Sequence, residues 1–248
     1  MDQYNLPEND PKVAYDMVSL PSEGVYYSHK KKAVKVSYLT AADENILTSP
    51  NLTADDGVMD TLLRAKVLDK DVIIEDLAAC DKQAIFIFLR NTAFGPEYKF
   101  TLTDPETKNT FEHTVDMSIL KTKEVKEKPD SRGEFSLKLP KSGYNVKVRL
   151  LTPKEEKELE DLKEVYKDNK ISPLATKRLE KTIAEMEGER DTMTLSVNIH
   201  TLPLQDSHFI KNFIRKVTPG LDLQRTTKAP SGREVNFSIQ FGLSFFRT

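Results

Sequence analysis

Cys80 is the single thiol of the chain and would be its strongest nucleophile if a neighbouring base or cation lowered its pKa. Asp81 follows it directly, and a carboxylate there favours the neutral thiol. Cys80 also keeps helical phase with the apolar residues around it, so its type and spacing favour a buried structural cysteine. The candidate bases and metal ligands are the four histidines, His29, His113, His200 and His208, and none sits at an HExxH or CxxC-type partner spacing. Glu112, His113 and Asp116 come nearest to a ligand cluster, but on a strand Glu112 and His113 point to opposite faces. The carboxylates from Glu155 to Glu164 alternate with lysines at helical spacing, which describes a solvated face better than an acid–base pair. A hydrolase or peptidase using Cys80 or His113 is retained as the alternative from a different functional class.

Other chemistries lack their sequence signals. No Walker, dinucleotide or kinase glycine pattern occurs, so nucleotide use is not expected. Lys30-Lys-Lys32 and the Lys121–Lys128 stretch are basic, but glutamates interrupt the second and no aromatic ladder accompanies either. Specific binding of nucleic acid is therefore not expected, nor is a cofactor, a metal ion or a small-molecule substrate.

The chain that must position these groups has 248 residues, which suits one large domain or two small ones. Hydrophobic residues make up 38% and charged residues 31%, a globular, charge-rich composition. The 37 Lys+Arg nearly balance the 39 Asp+Glu, so no net field recruits nucleic acid or an anionic membrane. One cysteine excludes an intrachain disulfide framework. The longest apolar run, Ala84 to Leu89, is too short to span a bilayer, and the acidic start MDQYNLPEND does not resemble a signal peptide, so a soluble, non-secreted protein is expected.

Residues 1–17 read as a flexible arm, with structure beginning near Leu20. Residues 18–96 read as a hairpin with helices. Gly24-Val-Tyr-Tyr and Val34-Lys-Val-Ser-Tyr predict two strands around the basic turn Ser28–Lys32. Thr40 with Asp43 and Thr53 with Asp56 have capping-box spacing, predicting a short helix ending before Pro50 and a second helix ending at Lys66. A buried helix is expected from Asp81 to Asn91, stopped by Gly95-Pro96.

From residue 97 to 151 the period changes to two. The alternations at Tyr98–Leu102, Phe111–Val115, Phe135–Leu139 and Tyr144–Leu150 predict a four-stranded antiparallel meander, with 121–133 as a mobile loop. Residues 152–190 predict an antiparallel helical hairpin. Thr152-Pro153-Lys-Glu155 is a strong helix start, Leu159, Leu162 and Tyr166 form a narrow stripe, and a second helix from Ser172-Pro173 carries Leu179, Ile183 and Met186.

Residues 191–248 form the last segment. Met193, Leu195, Val197 and Ile199 alternate as a strand would, with a helix as the competing reading. Asp206 is expected to cap a helix through Val217. Val235, Phe237, Ile239, Phe241, Leu243 and Phe245 then share one face of what reads as a single long strand. The fold class is accordingly α+β, with an N-terminal β-hairpin and short helices, an antiparallel meander, a helical hairpin insertion, and a C-terminal helix and long strand.

Leu20-Pro-Ser-Glu-Gly24-Val-Tyr26 followed by Val36-Ser-Tyr-Leu-Thr40-Ala-Ala-Asp-Glu44-Asn-Ile-Leu-Thr-Ser-Pro50-Asn-Leu52 resembles the N-terminal block of the T4-type bacteriophage baseplate protein family. Asp60 to Leu63, Asp76-Leu77, Cys80-Asp81-Lys82 and Leu89-Arg90 to Phe94-Gly95-Pro-Glu-Tyr98 continue the resemblance, as do Pro219-Gly220-Leu-Asp222 and Phe245-Phe246. The resemblance is tight over about residues 18–100. It implies a hub protein or chaperone-like hub-assembly factor of a contractile phage tail. Such a factor acts without catalysis, by contact with other hub subunits, in the host cell cytoplasm during assembly. A subunit retained in the virion is the runner-up. Some relatives carry paired cysteines after the position of Tyr98, suggesting a metal knuckle. Thr101-Leu-Thr-Asp-Pro105 has none, so a metal-free hairpin is expected. Phe237, Phe241, Phe245 and Phe246, together with Leu159, Leu162 and Tyr166, are the candidate partner-binding residues, with an ordinary internal strand as the competing reading for the phenylalanines.

Overall fold

Val34 and Val36, alternating with Lys35, form the buried side of a strand, β2 (Ala33–Ser37), in the computed structural model. The structure describes residues 13–27, 29–48, 55–167, 169 and 171–246. Residues 1–12 of the expected arm, Ser28 of the basic turn, Thr53 of the second capping signal and Asp168 and Lys170 of the helical-hairpin turn lie outside the described residues. The fold is an α+β mix of helices and small antiparallel sheets. It divides into two compact units, Met1–Lys123 with Gly220–Thr248, and Glu124–Pro219. Unit 1 is thus discontinuous. Its two crossing segments are zipped together, with Thr122 bridging Leu221 and the Lys123 N–H donating to Gly220 O at 2.7 Å.

In unit 1, β2 pairs with β1 (Tyr15–Ser19), Val18 lying opposite Val34. Structure thus begins before Leu20, and the expected first strand at Gly24–Tyr27 is a series of turns instead. The N–H groups of Glu23, Val25 and Tyr27 each donate to the carbonyl three residues back. Gly24 is needed there. Its φ is +74°, and a Cβ would lie 2.5 Å from Lys31 O and 2.7 Å from the Lys30 carbonyl carbon. A left-handed non-glycine residue and the displaced backbone should together cost about 2–4 kcal/mol. Gly24→Ala is therefore expected to lower the urea midpoint markedly, and an unchanged midpoint would refute this account of the turn.

The Thr40 capping box forms with Asp43 and opens a 3-10 turn (Ala41–Asp43) that runs into α1 (Glu44–Leu47). Asp43 also meets Lys66, the last residue of α2 (Asp55–Lys66), at 2.5 Å with both side chains 8% exposed. Lys66 Nζ donates in addition to Tyr38 O. The central helix α3 runs Ala79–Phe94, longer at both ends than its apolar run predicts, and buries Ile85, Phe86 and Leu89. Two hairpins complete the unit: β3 (Glu97–Thr103) with β4 (Thr110–Asp116), and β8 (Gln224–Lys228) with β9 (Glu234–Ser238). They face each other, with Phe100 and Phe237 ring centroids 5.2 Å apart and Asp104 accepting from the Ser231 N–H and Oγ–H.

The C-terminal run is not one long strand. β9 stops at Ser238, where its five-residue partner β8 ends, and extension would leave backbone groups without a ladder partner. The chain then turns, ending in a 3-10 segment (Leu243–Phe246) that buries Phe245 and Phe246. An alternating run of six apolar residues fits this hairpin-plus-turn as well as it fits a strand.

The expected four-stranded meander is also divided. The β3–β4 pair belongs to unit 1, whereas β5 (Glu134–Lys138) and β6 (Asn145–Arg149) belong to unit 2 and take β7 (Ile183–Met186) as their third strand. Between them, 121–133 is tied down: Lys121 O accepts from the Asp222 N–H, and Asp130 accepts from the N–H groups of Arg132 and Glu134. The helical reading through Met186 fails because α5 (Leu174–Thr182) stops before β6 captures the next four residues. A register shift between Lys147 and Val148 places both Ile183 and Met186 on the buried side, a three-residue spacing that otherwise signals helix.

The other hairpin helix, α4 (Pro153–Val165), starts at the expected capping box, with Glu155 accepting from the Thr152 N–H at 2.9 Å. Arg149 grips the same carboxylate, at 2.9 Å through Nη1. Arg149, and after it the Thr152 hydrogen bonds, hold the Glu155 pKa down at about 2. Because the folded value lies below the ordinary ~4.3, the stabilisation is full above that pH and is lost as pH falls towards 2. It is worth about 2–3 kcal/mol. Urea unfolding at pH 7 and pH 3 should show a smaller loss with Glu155→Gln than with the wild type, and equal losses would refute the assignment.

The segment left open between strand and helix is a helix, α6 (Thr192–His200), capped by Asp191, which accepts from the Thr194 N–H and Oγ–H at 2.9 Å each. α7 spans Leu204–Val217 with Pro203 as its N-cap. Asp206 is therefore inside the first turn rather than capping it. Its fully buried carboxylate accepts from the N–H groups of Lys141 and Ser142 at 2.8 and 2.9 Å, fixing the β5–β6 turn to the helix.

Candidate functional site

A buried polar cluster in unit 1 lies where the Leu20–Tyr26 and Cys80–Lys82 blocks meet. Asp81 is 0% exposed in the first turn of α3, where the helix dipole favours a negative charge. It accepts from the Ser22 N–H at 2.9 Å, from Ser22 Oγ–H at 2.5 Å and from the Tyr27 hydroxyl. The Tyr27 oxygen in turn accepts from the Ala78 N–H at 2.8 Å. Burial, then the Asp81 hydrogen bond, push the Tyr27 pKa upward. This arrangement pins the 20–27 turns to the helix, and its donors and acceptors face one another in the interior.

Cys80 beside it is 9% exposed, and its thiol donates to Asp81 at 3.7 Å. Burial, followed by the Asp81 charge, pushes that thiol up to about 12, so it stays protonated at neutral pH. His113 sits on β4, its Nδ1 3.2 Å from Thr227 Oγ1 and its ring against Phe237. Among the described residues, no group of three His, Cys, Asp or Glu side chains is arranged to hold a metal ion. Among those same residues, no helix is long and apolar enough to cross a membrane.

Arg90 ties the Leu89–Tyr98 block together. It is 6% exposed, its guanidinium donates to the carbonyls of Gly95 and Glu97, and it lies over the Tyr98 ring at 4.7 Å and the Phe245 ring at 5.8 Å. One side chain thereby joins the end of α3, the start of β3 and the C-terminal turn.

The candidate partner-binding phenylalanines line the interior of unit 1. Phe245 and Phe246 are 1% and 5% exposed; Phe245 packs on Tyr98, and Phe246 on Phe86. Phe241 and Phe237 are half-buried, Phe241 beside Phe245 and Phe237 beside Phe100. Of these only Phe237 lies on a strand, as the competing reading expected; Phe245 and Phe246 are buried from a 3-10 segment. In unit 2, Leu159 is buried, while Leu162 and Tyr166 are half-buried. The helical hairpin is fastened side by side by Glu156 with Arg178 and Glu158 with Lys181.

Large apolar side chains that face solvent occur in both units, Met17, Ile73 and Ile119 in unit 1 and, in unit 2, residues of α6 and α7 among others. Met193 and Val197 on α6 are 79% and 66% exposed, and Leu204 and Phe209 on α7 are 70% and 38% exposed. Strict alternation explains the first pair. On a helix, residues two apart differ by about 200°, so Leu195 and Ile199 turn inward while Met193 and Val197 turn outward. The alternation was visible in the sequence, but read as a strand it hid this second apolar face. No protein-family model, no curated protein and no solved structure matches this chain.

Proposed function

We propose that this chain is a hub-assembly protein of a contractile phage tail baseplate, working in the host cytoplasm as a chaperone-like factor that docks onto other hub subunits. The observation that supports the docking part is the set of apolar side chains that α6 and α7 leave facing solvent, Met193, Val197, Leu204 and Phe209, which a partner would cover. The kinship is supported by the way two of the resembling blocks, distant in sequence, meet in unit 1 through Ser22 and Asp81, while Arg90 braces a third from within by its contacts to Gly95, Glu97 and Tyr98. Distant blocks that complete one another's buried contacts form a framework, and a framework is what a family signature preserves. In this reading Cys80 and Asp81 hold the fold and carry out no reaction.

The test is deletion and replacement in the phage. Tail assembly should fail without the chain and should be undiminished with a Cys80→Ala, His113→Ala double variant. Loss of assembly in a double variant that still folds would favour a hydrolase. Mass spectrometry of purified virions separates the two non-catalytic roles, because an assembly factor is absent from them and a structural subunit is present at fixed copy number.

A further inference from the structure

We infer that residues 124–219 are an inserted module: unit 2 folds and unfolds as a cooperative body of its own, and unit 1 keeps its fold when those residues are replaced by a two-residue turn. The inference goes beyond the docking reading and does not depend on it. To that reading it adds that Met193, Val197, Leu204 and Phe209 ride on a part of the chain that the resembling blocks between residues 20 and 98 do not need for their fold.

The geometry of the insertion points carries the argument. Thr122 bridges Leu221 in antiparallel sense, the Lys123 N–H donates to Gly220 O at 2.7 Å, and the Asp222 N–H donates to Lys121 O at 2.9 Å. Those two bonds flank the Thr122–Leu221 pair, so Lys123 and Gly220 stand as the next hydrogen-bonded pair of the ladder. A pair of that kind, with Cα atoms about 5.5 Å apart, is what a two-residue hairpin turn joins. Residues 124–219 thus occupy the place of a turn. Unit 1 closes across the insertion by its own contacts. The β3–β4 hairpin before it meets the β8–β9 hairpin after it through Phe100 with Phe237, Asp104 with Ser231, and His113 with Thr227. Its core draws Leu62, Ile85 and Leu89 from before the insertion and Ile239, Phe245 and Phe246 from after it. Unit 2 has a second core, which includes Phe135, Val148, Leu179, Ile199 and Ile210, and among the described residues the two cores have no member in common. The sheets divide in the same way, β5–β6–β7 lying wholly within 124–219. A unit with its own core and its own ladders meets the physical condition for folding cooperatively by itself.

The experiment is hydrogen exchange of the full chain across a urea series, read by mass spectrometry of its peptides. Peptides from 13–123 and 220–246 should lose protection at one midpoint, and peptides from 124–219 at a midpoint of their own. Asp81→Ala should lower only the first midpoint, by about 1–2 M. Ile210→Ala, at a 0% exposed position of the second core, should lower only the second by a similar amount. Where a variant unfolds its own unit outright, protection retained in the other unit supports the inference and protection lost in both overturns it. It is equally overturned if either substitution moves both sets of peptides together. In a second measurement residues 124–219 are replaced by Asn-Gly, the pair that suits a two-residue hairpin. The remaining peptides should stay protected in water and keep the full chain's urea midpoint; unprotected peptides would overturn the claim for unit 1. Neither measurement involves a partner or the phage, so a failure here leaves the docking reading standing, and a failed assembly test leaves the module standing.

Discussion

Replacing Asp81 by alanine should cost unit 1 about 3–5 kcal/mol, among the largest effects available to a single substitution in this chain. The carboxylate is fully buried and is the acceptor for the Ser22 N–H, the Ser22 hydroxyl and the Tyr27 hydroxyl, themselves in residues 2% and 6% exposed. Its removal leaves three donors in the interior, and each buried donor without an acceptor costs about 1–3 kcal/mol. The sum is not fully realised, because water or a rotated hydroxyl can relieve part of it. Asp81→Asn should retain one acceptor and fall between the two. Urea unfolding followed by far-ultraviolet circular dichroism measures the series. An Asp81→Ala midpoint within error of wild type would show that the cluster contributes little, and that some other contact holds the 20–27 turns to α3.

Deleting Val235 to Thr248 should unfold unit 1 rather than strip a binding strand from an intact body. The deletion removes Ile239, Phe245 and Phe246, which are 2%, 1% and 5% exposed, together with the half-buried Phe237 and Phe241. Truncating one buried phenylalanine costs about 3–5 kcal/mol, so losing three buried side chains approaches or exceeds the 5–15 kcal/mol that stabilises a typical domain. It also takes away the strand that pairs with β8 and the ring stacked near Arg90. The truncated chain should lose part of its far-ultraviolet signal and become sensitive to protease within 13–123, while peptides from 124–219 resist longer. A truncated chain with the wild-type spectrum and melt would return these phenylalanines to the role of a partner-binding face.

Local chemistry was legible wherever a few neighbouring residues decide the outcome. The Thr152–Glu155 and Thr40–Asp43 capping boxes, the α+β class and the buried phase of Cys80 all depend on contacts within a turn or two of helix. Side-chain periodicity also told correctly which residues are apolar partners of something. It could not say of what, because a period of two is satisfied by a strand, by a short hairpin followed by a buried turn, and by a helix with two apolar faces. Partners outside the alternating run itself settle those cases. β8 is five residues long and so ends β9 at Ser238; β6 has an edge to fill and so converts 183–186 from helix to strand; Asp191 caps the segment that alternation suggested was extended. Asp206 shows the same division, since its type announced a helix start, yet its carboxylate holds the N–H groups of a turn more than sixty residues earlier. The sequence by itself determined where the apolar residues and the local helix signals fall. Tertiary structure alone decided which apolar residues remained outside, because exposure is what is left after every long-range partner has been chosen.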